Sequence, residues 1–426
     1  MEQNELSLYL HIPFCEKKCD YCDFLSAPAD KITYDTYVKA LLEEIASYGG
    51  CELARRKITT IFLGGGTPSV LSGEAITSIL KKVKSTFYIS DSDWKQAEIT
   101  MEMNPGTVTR EKCRQYHAAG INRVSIGLQS ADDSELKSLG RIHDYATFLK
   151  TYQSVREAGF ENVNIDLMAA LPGQTVESYR QSLEKVVALE PEHISAYSLI
   201  IEEGTAFYDR YGQGNTDRLP DEDAEREMYR LTEELLARAG YHRYEISNYA
   251  KAGRECWHNE VYWKRGSYLG LGLGASSLIG HMRYQNTSSL HRYIEFWQDG
   301  QGQTFSDGNL RNRYKRGLYD ERYQFELCKL TVEDEMAEFM FLGLRMMEGV
   351  SPAEFLRCFG RDMMSVYGEP IRKYLSLGLL AWRQPAGPGS RDGNVSACDN
   401  GSADRLCLTE RGIDVSNVIF ADFLPE

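Results

Sequence analysis

Three cysteines lie close together near the start of the chain: Cys15, Cys19 and Cys22. Their spacing is C-x3-C-x2-C, and they directly follow an apolar run, LSLYLHI (6–12), that is typical of a strand. Three thiolates in one loop can hold a [4Fe–4S] cluster and leave one iron open for a substrate or cofactor. Two alternatives stay open: a zinc site with His11 as the fourth ligand, and three unrelated buried cysteines.

A loop that holds three thiols needs regular elements to position it. From Leu6 to about Ile201, short apolar runs alternate with longer amphipathic runs of helical period. The apolar runs are 6–12, 59–66, 97–105, 123–130, 162–172 and 193–201. This alternation predicts an α/β fold with a parallel sheet. Both a partial open barrel and a doubly wound sheet fit, because six units are too few for an eight-unit barrel.

Polar residues and glycines stand near the carboxyl ends of these predicted strands, where sites form in parallel sheets. A lone polar residue in a buried strand needs a partner, and one shared polar ligand would satisfy several of them at once. One carboxylate and an arginine could hold an aminoacyl cofactor, and a second carboxylate could hold its ribose. The residues concerned are Gly65, Gly66, Thr67, Glu102, Gln129, Arg141 and Asp166.

These motifs together resemble the radical S-adenosylmethionine (SAM) superfamily. Within it, LYLHIPFC…CDYCDF, GGGTPS, GLQS, GRIH and LPGQT look like the branch of oxygen-independent coproporphyrinogen III oxidases and HemW-like heme chaperones. The resemblance covers nearly the whole chain. It implies a partial (βα)6 TIM-like barrel, a [4Fe–4S] cluster on Cys15, Cys19 and Cys22, and S-adenosyl-L-methionine as cofactor. The residues that it implies for the cofactor are Tyr9, Tyr21, Gly65, Gly66, Thr67, Glu102, Gln129, Arg141 and Asp166.

Two features separate the members of this branch. The oxidases carry a further cysteine two positions after the third, where this chain has Phe24. The segment HNEVYW (258–263) matches the H-N-x-x-Y-W motif associated with heme binding in the chaperones. Imidazole is a common axial heme ligand, so the resemblance implies that His258 binds heme. From spacing alone, an aromatic core with one hydrogen-bonded histidine is the favoured interpretation, and only the resemblance favours a heme ligand.

The resemblance and the composition together predict three regions. We expect the partial barrel in 1–215, a linking segment with the heme motif in 216–330, and a C-terminal winged-helix-like α+β domain in 331–426. Residues 305–325 show no clear period and are expected to form an inserted loop. GLLAWR and RLCLT are expected to pair as a hairpin across the connection 384–404.

The composition restricts the partners. The chain has 48 basic and 62 acidic residues, a formal net charge of −14, which argues against nucleic acid. The absence of a membrane-length apolar run and of a basic leader predicts a cytoplasmic protein. The first-choice function is a chaperone that delivers heme to an apo-hemoprotein, with a membrane-associated respiratory enzyme as one candidate client. The alternative is oxidation of coproporphyrinogen III, and a homodimer stays open.

Overall fold

The computed structural model of the chain describes residues 4–212, 214–216, 218–298, 324–384 and 404–425. The predictions for 305–323 and for the connection 385–403 therefore lie outside the described residues. Contacts divide the chain into two compact units. The first contains 1–242, 249–258 and 267–328, and the second contains 243–248, 259–266 and 329–426. The three-part division by residue number stays a prediction.

The described residues form strands and helices in the following chain order. The strands are β1 (Glu5–Ile12), β2 (Lys57–Gly65), β3 (Glu98–Met103), β4 (Arg123–Gln129), β5 (Val163–Ala169), β6 (His193–Ser198), β7 (His242–Glu245), β8 (Asn248–Ala250), β9 (Tyr268–Leu271), β10 (Ser276–Ile279), β11 (Met282–Asn286), β12 (Gln324–Lys329), β13 (Leu380–Arg383) and β14 (Arg405–Leu408). The helices are α1 (Lys31–Ser47), α2 (Gly73–Thr86), α3 (Asp91–Gln96), α4 (Arg110–Ala118), α5 (Asp133–Ser138), α6 (Tyr145–Glu157), α7 (Val176–Val187), α8 (Ala206–Tyr211), α9 (Glu222–Arg238), α10 (Trp257–Trp263), α11 (Leu290–Gln298), α12 (Val332–Gly343), α13 (Pro352–Phe359), α14 (Met363–Ser376), α15 (Glu410–Asp414) and α16 (Ser416–Ala421).

The first unit is built on a parallel sheet, as the alternation of the sequence predicts. Strands β1 to β6 lie side by side in chain order, and each pairs in parallel with the next. Helices cross between successive strands, so the carboxyl ends of all six strands meet at one edge. The sheet residues Leu8, Leu10, Ile61 and Leu63 are fully buried, as expected for a sheet covered on both faces. The six strands of the predicted (βα)6 unit are confirmed.

Four further strands, β9 to β12, extend the sheet beyond β1. Strand β9 pairs in parallel with β1, whereas β10 pairs antiparallel with both β9 and β11. The glycine run between Gly270 and Gly274 permits this packing. A Cβ on Gly272 would lie 2.7 Å from the carbonyl oxygen of His11, and one on Gly274 would lie 2.3 Å from Leu25 Cδ2. The run therefore lies against the loop that carries the cysteines.

The second unit is α+β. Its described part contains five helices, α12 to α16, and the antiparallel hairpin of β13 and β14. The predicted pairing of GLLAWR with RLCLT is thus confirmed. Helix α13 ends at Gly360, which adopts a left-handed conformation (φ +66°). Among the described residues, no helix is long and apolar enough to cross a bilayer.

Candidate cofactor site

The loop after β1 holds the three cysteines through backbone hydrogen bonds. The Cys15 amide donates to the Ala27 carbonyl (3.2 Å), and the Cys22 amide donates to the Cys19 carbonyl (3.2 Å). Cys15 is buried, whereas Cys19 and Cys22 are half-buried. These bonds tie the start of the loop to the segment after it and close a turn between the second and third predicted thiol ligands.

Two predicted cofactor residues contact these thiols directly. The Thr67 hydroxyl donates to Cys15 Sγ (3.4 Å), and Arg141 Nη1 donates to Cys19 Sγ (3.5 Å). The first contact joins the segment after β2 to the cysteine loop, and the second joins the segment after α5 to it. The paired residues are 52 and 122 positions apart in sequence, respectively. The structure therefore brings the thiols and the predicted cofactor residues together.

The zinc alternative required His11 as a fourth ligand, and both ring nitrogens of His11 are already bonded. Nε2 donates to the Leu25 carbonyl (2.9 Å), so Nδ1 accepts from the Tyr9 hydroxyl (3.0 Å). Burial lowers the pKa of His11 and keeps the ring neutral. In the described part of the chain, no three His, Cys, Asp or Glu side chains could hold one metal ion. A [4Fe–4S] cluster differs, because cysteine thiolates bind separate irons.

The backbone at the end of β2 lies so close to the cysteine loop that only glycine fits there. A Cβ on Gly66 would lie 2.6 Å from the Phe14 carbonyl oxygen. Gly65 adopts φ +111°, which favours glycine, and its amide donates to Glu102 Oε2 (3.0 Å). The GGGT segment thus packs its backbone directly against the cysteine loop and the end of β3.

Asn104 connects the predicted residues, although it is not itself one of them. Its Nδ2 donates to Thr67 Oγ1 (2.6 Å), and its Oδ1 accepts from Arg141 Nη2 (2.9 Å). In MEMNP, Asn104 follows Glu102 by two residues, which marks a polar residue near the strand end but not the residues that it contacts. Arg141 Nη2 also donates to the Gly127 carbonyl (2.5 Å).

One N–H group of Arg141 lacks an acceptor among the described residues. Its Nε is buried and has no hydrogen-bond partner among the described residues. A buried guanidinium N–H without an acceptor is costly, so the atom is suited to an anionic group beside Cys19. The aminoacyl carboxylate of the predicted cofactor has the right charge, and on this observation the residues present fit that group.

Two carboxylates complete the same end of the sheet. Burial and, to a smaller extent, the neighbouring Asp166 together raise the pKa of Glu102 to about 8. Burial also raises the pKa of Asp166, whose Oδ1 accepts from Asn164 Nδ2 (2.6 Å) and whose Oδ2 accepts from Ser125 Oγ (3.2 Å). A cationic or hydroxyl-bearing ligand would relieve the repulsion between two such carboxylates.

The remaining predicted residues lie around this set. Gln129 adopts φ +73° at an irregularity of the β4–β5 pairing, and its Oε1 accepts from the Tyr197 hydroxyl (3.1 Å). A non-glycine residue with positive φ at a strand end is typical of a site that aims a side chain. Tyr21 packs edge-on against Phe207, and Tyr9 stacks on Phe62.

His258 belongs to the first unit, and its ring centroid is 6.5 Å from that of Tyr9. Its Nδ1 is 2.6 Å from Thr60 Oγ1 in the first half of β2, and its amide donates to Glu98 Oε1 (3.1 Å) at the start of β3. The ring stacks on Phe62 (centroids 5.0 Å apart) and is 1% exposed. Burial lowers its pKa to about 3.

Comparison with known proteins agrees with this geometry. The family model of the radical SAM superfamily matches residues 9–186, and that of the HemN C-terminal domain matches 330–383. Heme chaperone HemW of Lactococcus lactis is 33% identical, over 100% of this chain and 98% of its own. Heme chaperone HemW of Escherichia coli is 36% identical, over 83% of this chain and 86% of its own. The solved coproporphyrinogen III oxidase HemN of E. coli covers 99% of this chain and 90% of its own with a TM-score of 0.76, but at 22% identity it shows the fold alone.

Proposed function

Because the chain belongs to the HemW family of radical SAM proteins, we propose that it binds heme and delivers it to apo-hemoproteins. We further propose that it binds S-adenosyl-L-methionine and a [4Fe–4S] cluster at the carboxyl end of the sheet. The observation that carries the cofactor site is Arg141, which touches Cys19 Sγ and keeps a buried Nε without an acceptor. No other arrangement at the six strand ends joins a cysteine thiol to an unmet cationic donor in the described residues.

Each residue of the site has a role that its contacts support. Cys15, Cys19 and Cys22 would ligate three irons, and Arg141 Nε would bind the aminoacyl carboxylate. The backbone of Gly65 and Gly66 admits the ligand close to the strand end, while Asn104 and Thr67 orient Arg141. Glu102 and Asp166 would hold its amino and ribose hydroxyl groups. When bound, the cluster and cofactor together supply one-electron chemistry.

The position of Phe24 favours heme delivery over oxidation of coproporphyrinogen III. The oxidases carry a cysteine at this position, whereas the Phe24 side chain is 63% exposed and has no thiol to offer. The chain also has the H-N-x-x-Y-W segment, of which His258 belongs to the first unit and residues 259–263 belong to the second.

His258 could bind heme iron only after local opening. Its imidazole is buried against Phe62, and the helix start that carries it is fixed by the Glu98 carboxylate, which accepts the amides of Trp257 (3.0 Å) and His258 (3.1 Å). The proposal that His258 is an axial ligand therefore includes release of this helix start from Glu98 and Thr60.

The deciding experiment tests heme binding and coproporphyrinogen III oxidation in one preparation. The protein is reconstituted anaerobically with iron and sulfide, titrated with hemin by absorbance, and assayed with coproporphyrinogen III and S-adenosyl-L-methionine. We expect a cluster spectrum, saturable heme binding and no porphyrinogen conversion. Cys19→Ser should lose the cluster spectrum, whereas Cys358→Ser, which removes an exposed cysteine elsewhere, should keep it.

Two results would contradict the proposal. Conversion of coproporphyrinogen III with consumption of S-adenosyl-L-methionine would identify an oxidase despite Phe24. If the reconstituted wild-type protein shows no saturable heme binding, the proposal of heme delivery is wrong. If the cluster spectrum survives Cys19→Ser, the assignment of the three cysteines as cluster ligands is wrong.

A further inference from the structure

A groove lies at the end of the sheet opposite the cysteine loop, where β1 and β2 begin. It is lined by the residues that lead into β2 and by the turn that joins α2 to α3. Its volume is about 580 Å³, within the range for small-molecule sites. All of its lining residues belong to the first unit, and none is among the predicted site residues.

The charge of this groove is positive, although the chain as a whole has a formal net charge of −14. Three consecutive cations, Arg55, Arg56 and Lys57, line it together with one carboxylate, that of Asp93. Lys57 Nζ lies 3.9 Å from Glu5 Oε1, and the two side chains are 54% and 29% exposed, so this ion pair is weak. Guanidinium and ammonium groups in this arrangement are suited to bind carboxylate or phosphate oxygens.

The turn between α2 and α3 presents an aromatic ring at the same groove. The Tyr88 side chain is 65% exposed, whereas its neighbours Phe87 and Ile89 are 2% and 8% exposed and anchor the turn. Tyr88 adopts φ +48°, a left-handed conformation that is unfavourable for a bulky residue. An exposed ring at a strained backbone position indicates a contact with a ligand, for which the ring offers a flat face.

We propose that this groove binds a flat aromatic ligand that carries at least two anionic groups. Tyr88 provides the stacking face, and Arg56 and Lys57 bind the anionic groups. A porphyrin with two carboxylates and a nucleotide both have this chemistry. The inference goes beyond the proposed function, because the groove contains no residue assigned to the cluster, to S-adenosyl-L-methionine or to heme iron.

The test is isothermal titration calorimetry of the reconstituted full-length protein with protoporphyrin IX, with its dimethyl ester and with ATP. Protoporphyrin IX contains no iron, so a histidine ligand cannot account for its binding. Every titration contains S-adenosyl-L-methionine, so that adenine does not report the cofactor site. We expect the wild type to bind protoporphyrin IX or ATP, and to bind the dimethyl ester, which has no carboxylates, at least about tenfold more weakly than a bound protoporphyrin IX.

Two variants locate the binding in the groove. Tyr88→Asn removes the ring and leaves a residue that tolerates the left-handed backbone, and the double variant Arg56→Gln with Lys57→Gln removes two cations. Each should raise the Kd of the bound ligand by about tenfold or more. The matched control is the double variant Arg226→Gln with Arg238→Gln on α9, whose side chains are 53% and 73% exposed; it changes the net charge equally and should bind like the wild type.

The outcomes separate this inference from the proposed function. Binding of protoporphyrin IX that both groove variants weaken assigns the groove to a porphyrin, and binding of ATP that both weaken assigns it to a nucleotide. If neither ligand binds the wild type, or if either groove variant binds like the wild type, the inference is wrong. Hemin binding by the wild type is measured separately, and the proposed function stands or fails on that measurement alone.

Discussion

The charge state of His258 gives a sharp test of its burial. In the unfolded chain a histidine has a pKa near 6.5, whereas burial lowers the pKa of His258 to about 3 in the folded protein. The folded state therefore holds the neutral ring, and its stability is lost as the pH falls below about 6.5. At about pH 5 the difference is roughly 1.5 pKa units, or about 2 kcal/mol at 1.36 kcal/mol per unit. Because the folded pKa lies well below 5, this figure depends on the unfolded pKa alone.

The measurement is urea unfolding at about pH 7 and about pH 5 for the wild type and His258→Asn. Asparagine keeps a polar atom near Thr60 Oγ1 but does not titrate. Between the two pH values the wild type should lose about 2 kcal/mol more than the variant. Other buried histidines contribute equally to both proteins, so the difference isolates His258. They are His11, His143 and His193.

An exposed histidine supplies the control. His291→Asn removes an imidazole that is 89% exposed and should leave the pH dependence of the wild type unchanged. If the wild type and His258→Asn instead lose the same free energy within about 0.5 kcal/mol, His258 is protonated as easily in the folded protein as in the unfolded one. The ring would then be open to solvent, and the argument that heme ligation needs local opening would fail.

Three further predictions address the cofactor end and the helix start. Gly66→Ala places a methyl group 2.6 Å from the Phe14 carbonyl, so the cysteine loop must move, and iron content after reconstitution should fall by more than about half. The control is Gly280→Ala in the β10–β11 turn, where a Cβ meets nothing within 4 Å; its φ of +61° strains that turn alone, so this variant should retain its iron. Glu102 has a pKa of about 8 in the folded protein, raised above its unfolded value, so it stabilises the folded state at low pH, and this stabilisation is lost as the pH rises through 8. The Tm of the cofactor-free wild type should therefore fall more between about pH 6 and pH 9 than the Tm of Glu102→Gln. Equal falls would refute the raised pKa of Glu102. Glu98→Gln leaves one amide at the start of α10 without its carboxylate acceptor. The free energy of unfolding, measured with urea, should fall by about 1–2 kcal/mol. An unchanged value would show that Glu98 does not fix the start of this helix.

The sequence predicted the parallel strands well because their signal is local. Runs such as RVSIGLQ are buried along their whole length, and their short length and regular alternation with longer helical runs favour strands of a parallel sheet. Strands β9 to β11 were not predicted. Their sequence is rich in glycine, which weakens the strand signal, and the reason for those glycines is the close approach to His11 and Leu25, which are distant in sequence.

The site shows the same division between local and long-range information. Glu102, Gln129 and Asp166 could be predicted because polar residues interrupt apolar runs at strand ends. Asn104 could not, because its role comes from bonds to Thr67 and Arg141, each 37 residues away. The burial of His258 was equally hidden, since it depends on Thr60 and Glu98, which are 198 and 160 residues away in sequence.

The interior of the first unit links the two ends of the sheet by ring contacts. Thr60 and Phe62 lie two residues apart on β2 and so share one face of the sheet. Phe62, His258 and Tyr9 pack together as three neighbouring rings: the Phe62 centroid is 5.0 Å from that of His258 and 6.2 Å from that of Tyr9, and the Tyr9 and His258 centroids are 6.5 Å apart. The Tyr9 hydroxyl donates to His11 Nδ1, and His11 Nε2 donates to the Leu25 carbonyl, three residues after Cys22. In a closely packed interior His258 cannot leave its place without disturbing Phe62 and Tyr9. Opening at His258 should therefore disturb Tyr9, whose hydroxyl is bonded to His11 beside the cysteine loop.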